Sequence, residues 1–161
     1  MNWDALFEMQ RTLDQAIQRE RGLEKENLTA KKILAFQVEL GELANETRCF
    51  KFWSHKKASP DTVVLEEYVD GLHFLLSIGL ETGEVFLELE PGHPAEELCA
   101  QFQEVYRCAS VFQQSRNGES FRHLFSAYLT LARMLGFTEV SVMQAYEEKN
   151  RVNHRRQEEG Y

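Results

Sequence analysis

Glu39, Glu42 and Glu46 recur at intervals of three and four residues, and a second acidic group, Glu67 and Asp70 with Glu66 beside them, follows later in the chain. At 100° per residue the first three project within an arc of ~60°, and Glu67 and Asp70 are spaced i,i+3, so each set shares one helix face. Like charges placed this way repel by roughly 0.2–0.5 kcal/mol per pair on an exposed helix. Neither stripe has a compensating Lys or Arg at i±4, since Phe50 follows Glu46 and Phe74 follows Asp70. A solvated acidic face is the plainest account of such a pattern. Two features point elsewhere. The acids interrupt strongly apolar helices, and E-x-x-E followed by E-x-x-D suits two neighbouring helices joined by one loop. A hard divalent cation such as Mg²⁺ takes oxygen ligands and leaves room for water and substrate phosphates.

The stretch KNRVNHRR, Lys149 to Arg156, carries four formal positive charges and no acid in a chain of net charge −8. On one helix Lys149, Asn153 and Arg156 fall within ~60°, giving two cations and an amide on one stripe. Arg presents a fork to phosphate and Lys a point charge. Cations also collect at helix C-termini because of the helix dipole. Beside an acidic site, a phosphate-facing stripe is the stronger reading.

These groups need elements to position them, and nearly every segment repeats near 3.6 residues rather than 2. Helices are expected from Trp3 to Gly22, from Thr29 to about Cys49, from Thr62 to about Leu80 with Asp61 as N-cap, from Pro94 to about Gln114, from Glu119 to Leu135, and from Thr138 onward. Val85–Leu89 alternates and suits a short extended connector. The expected fold is all-α, a bundle of five to six helices. With 161 residues the chain suits one domain, 1–161, with a core of its own. Nine glycines and three prolines are too few for a turn-rich β fold. The acidic balance disfavours a nucleic acid polymer as partner. Cys49, Cys99 and Cys108 form an odd set without C-x-x-C, so free reduced thiols are expected. No signal peptide or membrane span is visible, which suits a soluble cytoplasmic protein. His73, on the apolar third helix, is expected to be an interior histidine with its polar atoms satisfied, and His55, His93 and His123 lack metal-ligand spacing.

Glu39-Leu40-Gly41-Glu42 with Glu67-Tyr68-Val69-Asp70 resembles the metal motif of the all-α nucleoside triphosphate pyrophosphohydrolases, which include MazG-type enzymes and the dimeric dUTPases. The tail YEEKNRVNHRRQEEGY resembles the C-terminal motif of the dimeric dUTPases, the loop CFKFWSHKK their Lys/Trp-bearing central motif, and MQRTLD their first motif. In this order the elements run from Gln10 to Tyr161, and the chain is identified as a member of the compact bacterial or phage branch.

The resemblance implies hydrolysis of dUTP to dUMP and pyrophosphate, with dUDP a possible second substrate, in a homodimer. It implies Mg²⁺ held by Glu39, Glu42, Glu67 and Asp70, with water attacking the α-phosphorus and one carboxylate doubling as general base, Glu39 ahead of Glu42. Lys149, Asn153 and Arg156 would hold phosphates, with Lys56 or Lys57 closing over them. Gln10, Asp14 and Trp53 would meet the base. Asp14 stands where the family more often has Asn and lacks that donor, so a contact through water or a hold on a neighbour is expected of it. The same acids would also serve a MazG-like or dCTP-directed pyrophosphohydrolase, or survive in a catalytically idle nucleotide-binding bundle.

Overall fold

A computed structural model of the chain describes residues 1–86 and 88–160, and among these it contains six helices and no strand. They are α1 (Trp3–Arg21), α2 (Thr29–Thr47), α3 (Asp61–Thr82), α4 (Leu98–Ser115), α5 (Gly118–Met134) and α6 (Glu139–Glu158). The all-α bundle expected from the sequence is what forms. Among the described residues no helix is long and apolar enough to cross a membrane.

Local signals set most of the boundaries. Asn2 accepts from the Ala5 amide at the start of α1, and Gly22 closes that helix at φ 67°, a conformation that only glycine adopts without strain. Asn117 caps α5, and Thr138 with Ser141 forms a capping box on α6. Two starts differ from expectation. Asp61 is not the N-cap of α3: Pro60 takes that place without a side-chain bond, and Asp61 sits in the first turn, where its charge favours the helix dipole. α4 begins at Leu98 rather than Pro94. The preceding segment spends its amides elsewhere, Gly92 N–H on Thr130 Oγ1 (2.7 Å) and Ala95 N–H on the buried Gln101 (3.1 Å). Within Val85–Leu89, Leu87 lies outside the described residues; Phe86 stacks on Phe121, and Leu89 is buried.

α2 and α3 form an antiparallel hairpin. The start of α2 meets the end of α3 through Leu28 N–H and Lys32 on Glu81, and the far ends meet where Ser59 N–H donates to the Glu46 carbonyl. α3 is the central helix, with α1, α2, α5 and α6 all packed on it, and α4 pairs chiefly with α5. The apolar stripes of the helices enter the core: Ile33, Phe36, Leu40 and Leu43 of α2, Phe102, Val105, Ala109 and Phe112 of α4 with Tyr106 only partly buried beside them, and Phe121, Leu124, Phe125 and Tyr128 of α5.

At the centre Tyr68 and Tyr128 stack with ring centroids 4.5 Å apart, and the Tyr128 hydroxyl donates to the Tyr68 carbonyl at 2.6 Å. This close approach requires Gly71, because a Cβ there would lie 2.2 Å from the Tyr128 hydroxyl oxygen. Gly71→Ala is therefore expected to cost about 1–3 kcal/mol through overpacking, measured as a lowered denaturant midpoint. The glycine inside Glu39-Leu40-Gly41-Glu42 has a similar reason, since a Cβ at Gly41 would meet the Tyr106 hydroxyl at 3.1 Å.

Candidate active site

The α2–α3 hairpin brings Glu39, Glu67 and Asp70 together, with one carboxylate oxygen of each lying within 4.8 Å of the others. All three are half-buried, whereas Glu42 stays exposed at the rim. Glu46 is drawn aside, its carboxylate accepting from the Ser59 hydroxyl.

The electrostatics record the crowding. Burial, then the charges of Asp70, Glu42 and Glu67, push the Glu39 carboxyl up to about 7. Burial, then Asp70 and Glu42, raises Glu67. Asp70 is also raised, because desolvation outweighs the hydrogen bond it accepts from Lys149. That lysine comes from α6, with Nζ 2.7 Å from Asp70 and 3.0 Å from Glu66. Burial opposes the lysine's charge, but the two carboxylates raise its pKa on balance. The neutralising cation absent from the acidic stripes is thus partly supplied by a third helix. Among the described residues Glu39 and Glu67 have no ion-pair partner.

A cavity of about 230 Å³ opens beside this cluster. Glu39 and Asp70 form one wall, and Lys149, Asn153 and Arg156 form another, so the whole predicted basic stripe faces it. Its far end is lined by Gln10, Asp14, His73 and Ser77. Gln10 is buried, and its amide is fixed on both sides. Nε2 donates to Asp14 at 2.7 Å, while Oε1 accepts from the Tyr146 hydroxyl at 2.7 Å and lies 2.8 Å from His73 Nδ1. Asp14 does hold a neighbour: besides Gln10 it accepts from Ser77 Oγ (2.6 Å) and Lys32 Nζ (3.3 Å). Lys32 in turn reaches Glu81 at 2.8 Å.

Because Gln10 offers His73 an oxygen, Nδ1 must carry the proton and Nε2 is left as an acceptor. Nε2 has no partner, so this interior histidine is only half satisfied. Burial, then the charge of Lys149, depresses His73 to about 3. A ring NMR titration is expected to show His73 neutral with Nδ1 protonated throughout the folded range. Protonation near 6.5 would contradict the assignment. The sign for stability follows: the unfolded chain binds this proton and the native one does not, so the His73 contribution falls as pH drops below 6.5.

A family model described as dUTPase matches residues 2–161. The chain belongs to the dUTPase family. No curated protein matches it. Hydrolysis of dUTP is the activity of this family, and the chain is a dUTP diphosphatase.

Not every residue expected in the dUTPase site lines the cavity. Trp53, Lys56 and Lys57 lie on the exposed loop after α2, with Trp53 edge-on to Phe50 and Phe52. Arg48 holds that loop to the hairpin through Ser54 Oγ (2.6 Å) and the Lys56 carbonyl (3.1 Å). Conversely, Lys32, His73, Ser77 and Tyr146 belong to the dUTPase cavity network without having been expected there. Asn150 is buried near Tyr146 with its Nδ2 unpartnered. The one sequence signal for Lys32 was its place on the stripe of Ile33 and Phe36, where a lysine must find an acid.

Proposed function

We propose that Glu39, Glu67 and Asp70, with Glu42 at their rim, hold Mg²⁺ and carry out pyrophosphohydrolysis of dUTP in the cavity between α2, α3 and α6. The observation that supports this most is the convergence of three half-buried carboxylates within 4.8 Å, opposite Lys149, Asn153 and Arg156. The donor set fits a hard cation: it is all oxygen, raised in pKa by burial and then by its own crowding, and only partly neutralised by Lys149. Bound there, Mg²⁺ would supply Lewis-acid stabilisation of the phosphate oxygens and lower the pKa of an attacking water.

The chain's own residues do the rest. Glu39, whose carboxyl sits at about 7, accepts the proton of the water that attacks the α-phosphorus, with Glu42 the second choice. Lys149, Asn153 and Arg156 bind the triphosphate from the opposite wall, and Lys56 or Lys57 closes over it from the loop. The base enters the end of the cavity held by Gln10 and Asp14, whereas Trp53 sits on the loop at the other end of the hairpin and does not wall it. dUMP and pyrophosphate leave. The whole chain acts as one catalytic domain in the cytoplasm. A homodimer is supported by apolar side chains left outside the core, Leu34 and Val38 on α2 and Phe52 and Trp53 on the loop.

Turnover of dUTP, dCTP, dTTP and UTP, each with and without Mg²⁺, tests the reading. Hydrolysis of dUTP that disappears in chelator is expected. Equal turnover of dCTP would favour a broader pyrophosphohydrolase, and undiminished activity in chelator would remove the metal.

A further inference from the structure

Away from the cavity, two cysteines fifty residues apart in sequence meet where the root of the α2–α3 loop touches α4. Cys49 follows the left-handed C-cap Arg48 and lies outside the helix, while Cys99 sits in the first turn of α4. Their sulfurs are 3.7 Å apart, with Cys99 placed to donate its S–H to the Cys49 sulfur. Both side chains are half-exposed, whereas the third cysteine, Cys108, is buried.

We propose that Cys49 and Cys99 form a reversible disulfide site that exchanges with small disulfides of the glutathione type. A bonded pair needs sulfurs about 2.05 Å apart. The remaining gap closes by side-chain rotation at Cys49, whose backbone is not held in a helix. The Cys49 thiolate attacks one sulfur of the small disulfide, forming a mixed disulfide and releasing one thiolate. Cys99 then attacks the Cys49 sulfur and releases the second. Two protein thiols are oxidised, one small disulfide is reduced to two thiols, and the two protein S–H protons end on the released thiols. Cys49 is the first nucleophile because it is the acceptor of the pair and lies outside the helix, while Cys99 keeps its proton directed at it. The thiol of Cys99 itself is raised, by desolvation and then by its bond to Cys49.

The consequence is structural. The bond would close a ring containing the loop of Trp53, Lys56 and Lys57 and all of α3, and would fasten the α4–α5 pair to α2. Among the described residues, a further polar link there is the Tyr106 hydroxyl on the Gln37 carbonyl. Long closed loops gain most from cross-linking. This site does not depend on the catalytic reading.

The test uses the full chain, reduced, freed of reductant and treated with oxidised glutathione near pH 8. The expected product is a chain lighter by about 2 Da and not disulfide-linked to a second chain, containing a Cys49–Cys99 linked peptide and reverting with reductant. Its thermal midpoint should rise by roughly 5–10 °C. Cys49→Ser and Cys99→Ser should each stop at a glutathione adduct, without that rise. A wild-type chain that accumulates only the adduct, pairs through Cys108, or links between chains would overturn the proposal.

Discussion

Glu39→Gln is expected to lower kcat for dUTP by roughly 10³-fold while leaving the fold intact, because the amide can neither take the water's proton nor offer a cation a full charge. Glu67→Gln and Asp70→Asn should fall by a similar factor. The stability of the same variant separates a local loss from unfolding. In chelator, the raised Glu39 pKa means that the native state binds more protons than the unfolded chain between 4.5 and about 7. Stability therefore falls as pH rises through that window, and the penalty is complete above it. Because the group is half-exposed, solvent screening keeps the effect near 1 kcal/mol or below. Glu39→Gln removes that charge, so its thermal midpoint at pH 8 in chelator should equal or exceed that of the wild type. A midpoint well below the wild type would assign Glu39 a structural role instead.

Lys149→Ala should lower kcat/KM for dUTP by about 10–100-fold, mainly through KM, as befits the loss of one charge-assisted contact to phosphate. In the free protein this lysine bridges Asp70 and Glu66 and so competes with any cation for the acidic wall. Removing it leaves that wall less neutralised. Divalent affinity measured without nucleotide should therefore rise even as turnover falls. A common structural collapse would lower both. The paired outcome, weaker substrate and tighter metal, is specific to a lysine that passes from carboxylate to phosphate when substrate enters.

The residues differ in how far the sequence exposed their roles. The apolar period placed Ile33, Phe36, Leu40 and Leu43 in the core because burial of one helix stripe is a local property of the chain. Glu39, Glu67 and Asp70 were legible because a hairpin with one connecting loop brings two stripes together in few ways. Glu42 did not join them and remains at the rim. What no single-helix pattern contains is the identity of the partner across a gap. Gln10 was expected to meet the base, and no pattern within α1 showed that α6 would bring Tyr146 and α3 would bring His73 against its amide oxygen. Lys149 read as a phosphate ligand alone, yet in the free protein it also neutralises Asp70 from a distant helix. The start of α4 was misplaced for the same reason, since the segment before it is held by Gln101 of α4 and Thr130 of α5, contacts that no local pattern contains.

The proposed cation site is open to one direct measurement: titration of the nucleotide-free chain with Mn²⁺, following free Mn²⁺ by electron paramagnetic resonance, beside Glu67→Gln and Asp70→Asn. Saturable binding by the wild type, abolished or greatly weakened in both variants and competed by Mg²⁺, is the predicted result. Equal binding by all three proteins, or none by the wild type while dUTP is still hydrolysed in chelator, would contradict it.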